Sequence, residues 1–153
     1  MKITSKQTDD FKREFSLGLD HQRKKNFNEA AACYKKAIQD AEDSFKFYKD
    51  VDPSYSWAYN NLGIVFTNLK KKQEAIDCFF KAIKIDPKFT TAYFNLGNVF
   101  KSMEKHQEAV DQFTKAIALD PRYHLAWAKR AEAYVRMGLT QKAEEDLRSL
   151  EGI

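Results

Sequence analysis

Apolar side chains recur at three- and four-residue steps along most of this chain. Tyr59, Leu62, Gly63 and Phe66 form one such set and Ala75, Phe79 and Ala82 a second. Both recur 34 residues later, as Tyr93, Leu96, Gly97 and Phe100, then Ala109, Phe113 and Ala116. This spacing gathers each set on one face of an α-helix. Each copy therefore predicts a pair of amphipathic helices, and each ends on Asp-Pro, at Asp86-Pro87 and Asp120-Pro121. Self-similarity at a fixed period of this length predicts stacked units that bury their apolar faces against one another.

Weaker copies flank the two clear ones. On the amino-terminal side stand Leu17-Gly18, Ala30, Tyr34 and Ala37, with Glu14 and His21 where aromatics stand later. On the other side, from His124, come Trp127, Ala131, Tyr134, Ala143 and Leu147, with Arg130 in place of leucine. Terminal units have one neighbour each, so a more polar pattern is expected of them. Gly18 and Gly63 are 45 residues apart, 11 more than the period. Eleven residues make about three helical turns, roughly 16 Å. Tyr34, Ile38, Ala41, Phe45 and Tyr48 keep the helical spacing up to Asp52-Pro53, which predicts a lengthened second helix. Thr8 is placed to cap the first helix, with Asp9 and Asp10 at the positive end of its dipole. The expected organisation is a polar lead over 1–10 and repeats over 11–53, 54–87, 88–121 and 122–153. The last closes the stack with a polar helix through Glu144, Glu145, Asp146, Arg148 and Glu151.

Composition narrows the class. The chain has 153 residues, 43% hydrophobic and 31% charged, with five glycines. That suits a well-solvated helical domain and argues against disorder. No apolar run approaches the roughly 18 residues of a membrane span. No apolar stretch follows Met1–Lys6 to form a signal peptide. The expectation is a soluble, cytoplasmic protein, with the nucleus also open. Cys33 and Cys78 occupy equivalent sites on adjacent second helices, about 8–10 Å apart by ordinary helix packing. A disulfide needs Cα atoms within about 7 Å, so both are expected as small, semi-buried thiols.

The order aromatic-x-x-Leu-Gly-x-x-aromatic, Ala-x-x-x-Phe, Pro resembles the tetratricopeptide repeat, a helix-turn-helix unit of this period. The resemblance implies an all-α, right-handed superhelical solenoid of four repeats, acting as a protein-interaction adaptor or scaffold. In that family glycine occupies a left-handed turn position between the helices. Here those sites are Lys25, Lys70, Glu104 and Gly138, so either three turns carry strain or their geometry differs.

A second stripe on the first helices is where the resemblance places the concave groove. It runs Trp57, Asn60, Asn61, Ile64, Thr67 and Asn68; then Thr91, Phe94, Asn95, Asn98, Lys101 and Ser102; then Leu125, Ala128, Lys129, Glu132, Val135 and Arg136. In the first repeat the same registers hold Lys12, Phe15, Ser16, Leu19, Gln22 and Arg23. Aromatics beside amides and cations suit capture of an extended peptide, which needs backbone partners and apolar pockets. The stripe sets Lys12, Arg23, Lys101, Lys129 and Arg136 against Glu132 alone, a surplus equal to the whole formal charge of +4. An acidic or carboxyl-terminal peptide follows as the expected partner. Asn61 and Asn95 match the family asparagine that bonds a peptide backbone, and Lys129 in the next copy is placed to anchor a carboxylate. The candidate contacts are thus Trp57, Asn60, Asn61, Ile64, Phe94, Asn95, Asn98, Lys101, Lys129 and Arg136. The family's chaperone-tail clamp is largely missing, since Phe15 and Leu19 stand at its first two sites. The long first-repeat helix still leaves a co-chaperone-like role open.

Two rivals remain. Phe45, Phe47 and Tyr48 form a second candidate surface, for self-association of a structural building block into a homo-oligomer. A basic groove with aromatics also suits RNA, but a charge of +4 and the protein-binding type of repeat make nucleic acid the weaker reading. No catalytic or metal-binding constellation is visible. His21, His106 and His124 fall at different repeat positions, and no phosphate-binding loop or cysteine-histidine spacing occurs. No cofactor, metal or enzymatic activity is expected.

Overall fold

The computed structural model describes residues 5–47 and 52–151, with side chains over 9–39 and 52–150. Eight α-helices and no strand occur among the described residues: α1 (Ser5–Arg23), α2 (Phe27–Phe47), α3 (Ser54–Asn68), α4 (Lys72–Ile85), α5 (Thr90–Ser102), α6 (His106–Leu119), α7 (His124–Arg136) and α8 (Thr140–Glu151). They fall into two compact units that divide between Pro87 and Lys88. The first unit holds α1–α4 and the second α5–α8. Within each, every helix packs on the next in sequence.

One boundary differs from the expectation, for a simple reason. The first helix starts at Ser5, so Thr8 lies inside it and is no cap; Lys6 and Gln7 are good helix formers and extend it backwards. Helix α2 has 21 residues against 14 in α4 and in α6. The aromatic surface expected at Phe45, Phe47 and Tyr48 lies outside the described side chains.

The glycine of each first helix exists because a ring lies on it. A Cβ at Gly63 would meet the ring of Phe79 at 2.7 Å, and at Gly97 that of Phe113 at 2.6 Å. Gly18 stands in the same relation to Tyr34, at 2.6 Å. Tyr34, Phe79 and Phe113 are each no more than 1% exposed, so these contacts centre the core of three helix pairs. The fourth differs: Ala131 and Leu147 take the two positions.

All four intrapair turns share one hydrogen-bond pattern. The amides of Asn26, Lys71, Lys105 and Leu139 reach back to the carbonyls of His21, Phe66, Phe100 and Tyr134 at 2.8–3.0 Å. The residue before each amide is left-handed: Lys25 (φ 60), Lys70 (φ 62), Glu104 (φ 60) and Gly138 (φ 74). These are Schellman caps, and three place a side chain where glycine fits best. Between pairs, Asp52 accepts from the Ser54 amide at 2.8 Å and Asp120 from the Arg122 amide at 3.0 Å. The aspartate of Asp-Pro thus closes the turn that proline begins.

Candidate functional site

Register decides what each first-helix residue can present. The position held by Phe15, Asn60, Phe94 and Ala128 faces its own helix pair. Phe15 meets Tyr34 with ring centroids 5.7 Å apart, and Phe94 meets Phe113 at 5.8 Å and Tyr123 at 4.9 Å. Asn60 is buried at 3% exposure. Asn60 is therefore closed off from an open binding face, contrary to the expectation, while Phe94 is half-buried with its ring turned onto its own unit. Their register lies over the ring of the second helix.

The next register, Ser16, Asn61, Asn95 and Lys129, is half-buried apart from exposed Ser16. In the first unit the Asn61 amide hydrogen-bonds the Tyr34 hydroxyl, which itself donates to Gln22 Oε1 at 2.8 Å. Burial pushes the Tyr34 phenol up to about 12, with the Asn61 bond pulling the other way. Part of the hydrogen-bonding capacity of Asn61 is thus spent inside the unit. Ile64 and Asn98 are half-buried. Asn68 turns its amide back onto the Ile64 carbonyl at 2.9 Å.

On α3 and α7 the large apolar side chains that stand open lie on the outer registers. Trp57 is 55% exposed on α3, Leu125 57% and Val135 58% on α7, and Arg136 is exposed beside Val135. Between Leu125 and Val135 the cations are not free. Glu132 accepts from Lys129 Nζ at 2.7 Å through one oxygen and from Lys101 Nζ through the other. Lys101 first and Lys129 second hold the Glu132 carboxyl below its ordinary range, against the opposing effect of burial. The second unit thus brings Lys101, Lys129 and Arg136 onto one face, with two of the three sharing a single carboxylate.

Two further arrangements escaped the sequence reading. Arg130, the residue replacing leucine, is clamped by Asp146 through two bonds of 2.8 and 2.7 Å. It also donates to Thr114 at 2.9 Å and lies over the rings of Trp127 and Tyr134, 4.9 and 5.8 Å from their centroids. Burial lowers the Arg130 pKa, yet the bonds to Asp146 leave it raised overall. Asp146 is 4% exposed, so it is no part of a solvated closing helix. In the first unit, Glu14 is the matching surprise. Its carboxyl, where Tyr59 and Tyr93 stand later, accepts from Lys36 at 2.7 Å, while Lys81 and Lys115 lie over Tyr59 and Tyr93. The sequence marks Glu14 as standing in an aromatic position, and the lysine opposite it emerges only from the packing.

Cys33 and Cys78 are free, half-buried and buried respectively, and burial pushes the Cys33 thiol up. Neither is poised for nucleophilic or redox chemistry. No group of three or more metal-ligating side chains occurs among the described residues, and no helix there is long and apolar enough to cross a membrane.

Residues 56–89 and 90–123 match the family model of the tetratricopeptide repeat. Among solved structures, the crystal structure of MamA superposes with a TM-score of 0.81 at 25% identity, covering 93% of this chain and 77% of that one. The Arabidopsis OM64 TPR domain gives 0.73 at 22%, over 84% of this chain and 98% of the domain. A tetratricopeptide repeat protein from Parabacteroides merdae gives 0.80 at 18%, over 92% and 52%. No curated protein matches the chain.

Proposed function

We propose that this chain, which is a tetratricopeptide-repeat protein, is a non-catalytic adaptor that holds an extended, acidic segment of a partner protein against its first helices. The second unit presents Asn95, Lys101, Lys129 and Arg136 for this; in the first unit Trp57 and Asn61 stand at the equivalent registers. One observation carries the reading. On α7 the large apolar side chains Leu125 and Val135 are exposed beyond half and fall on outer registers beside Lys129 and Arg136, and in the first unit the equally exposed Trp57 holds the Leu125 register beside Asn61. Scattered exposed apolar residues are ordinary, but a register-matched set beside hydrogen-bonding groups is what peptide capture uses. Tetratricopeptide repeats are protein-interaction modules in general, which supports the same reading.

The test is capture of partners by the wild-type chain, by Asn61→Ala/Asn95→Ala and by Lys129→Glu/Arg136→Glu. Both double variants should lose the partner, and binding to the wild type should weaken with added salt. A thermal melt of each variant controls for the Asn61–Tyr34 bond. Partners retained by both folded variants would sink the proposal.

A further inference from the structure

Glu132 stands on the stripe of α7 where Asn98 stands 34 residues earlier. Both of its carboxylate oxygens are engaged, one by Lys101 of α5 and the other by Lys129 of α7. A carboxylate joining two first helices is the interaction expected of an acidic ligand, supplied here by the protein itself. We propose that Glu132 is a tethered stand-in for the ligand's carboxylate, occupying the Lys101–Lys129 pair until an acidic peptide displaces it. This rests on the peptide-binding reading and adds the residue that sets its affinity and selectivity.

Three features support exchange over a fixed structural role. The Glu132 side chain is 50% exposed, so it returns to water at little cost, as exposed ion pairs do. A hollow of about 640 Å3 opens beside it, lined by Lys101, Ser102, His106, Val135 and Arg136, with room for an incoming side chain. Arg136 makes no ion pair among the described residues and offers an arriving anion its first contact. The Arg130–Asp146 side chains, only 13% and 6% exposed, have no such easy return to water. With Glu132 in place, a second carboxylate meets repulsion as well as attraction. Only a ligand that replaces it gains both lysines. Uncharged peptides gain nothing from the exchange, so Glu132 lowers affinity for acidic ligands and leaves that for neutral ones unchanged.

Fluorescence anisotropy on the full chain tests this, using labelled hexaglutamate and hexaglutamine peptides as probes. Glu132→Gln should tighten hexaglutamate binding about fivefold, the effect of removing one neighbouring charge near a surface, and leave hexaglutamine unchanged. Glu104→Gln removes the same charge from the same hollow, but its side chain pairs with neither lysine. It should change binding less than twofold. If Glu132→Gln binds hexaglutamate no better than wild type, Glu132 orients the lysines instead and the proposal fails. Equal gains in both variants would reduce the effect to net charge and also overturn it. Hexaglutamate binding to none of the proteins would end this proposal. The broader reading would stand or fall separately, on partner loss in the Asn61/Asn95 variant.

Discussion

In α5–α6 the ring of Phe113 lies on the bare backbone of Gly97, and the flanking Leu96 and Gln112 are buried. In α7–α8 the same four registers hold Leu147, Ala131, Arg130 and Asp146, and Leu147 is 50% exposed. One pair is held by shape and dispersion, the other by a caged guanidinium bonded twice to a carboxylate. The first unit repeats the contrast more mildly, with Glu14–Lys36 in α1–α2 against Tyr59–Lys81 in α3–α4. Both kinds of core keep the helix pair closed, but they fail differently. A ring on glycine tolerates no added volume, whereas an ion pair tolerates no missing partner.

The sharpest way to break the comparison is to remove half of the caged pair. Asp146→Ala should cost about 3–5 kcal/mol in urea unfolding, because it strands a buried guanidinium. Converting both residues to the α5–α6 pattern, Arg130→Leu/Asp146→Gln, should fall within about 1 kcal/mol of wild type or above it. A loss as large as that of the single variant would contradict the account. Next comes Gly97→Ala, which should cost about 1–3 kcal/mol by overpacking. Adding Phe113→Leu, so that α5–α6 takes the α7–α8 residues, should restore part of that loss in the same titration. The Glu14 pair sets a pH dependence. Lys36 first, and Arg13 also, hold its carboxyl below the ordinary 4.5 despite burial. Its contribution is therefore present above that pH and lost as pH falls through the lowered value. Glu14→Gln should flatten the thermal melting curve against pH in this acid range. If wild type and variant lose stability in parallel there, other carboxylates are responsible. The smallest effect concerns the turns: Lys70→Gly should raise stability by up to about 1 kcal/mol and Gly138→Ala lower it by a similar amount. Equal and opposite shifts in midpoint would confirm that the four turns differ only in their residue.

The repeated Tyr, Leu, Gly, Phe and Ala residues made the helix pairs legible, because a 34-residue period and a 3.6-residue twist fix which faces meet. The candidate face was legible only in part. Asn60 and Asn61 are neighbours with similar chemistry, and a rotation of about 100° per residue sends one into the core and leaves the other at its edge. Phe94 looked like an exposed aromatic because the helical wheel does not show how far the Phe113 ring reaches. Asp146 looked like a solvated charge in an acidic helix, since its partner Arg130 lies 16 residues away on another helix. The turn geometry was likewise out of reach: lysine and glutamate give no sign of a positive φ that only the closing hydrogen bonds enforce.

The two tryptophans are distributed one to each unit, and their surroundings are opposite. Trp57 is 55% exposed, while the Trp127 indole donates to the Pro121 carbonyl at 2.9 Å and is stacked on by Arg130. The chain therefore carries a built-in optical label for each half. Water relaxing around Trp57 should shift its emission to the red, and the cation on Trp127 makes the second signal sensitive to opening of its cage. Single Trp→Phe variants would separate the two spectra. The same sample would then reveal whether the halves melt together or one before the other.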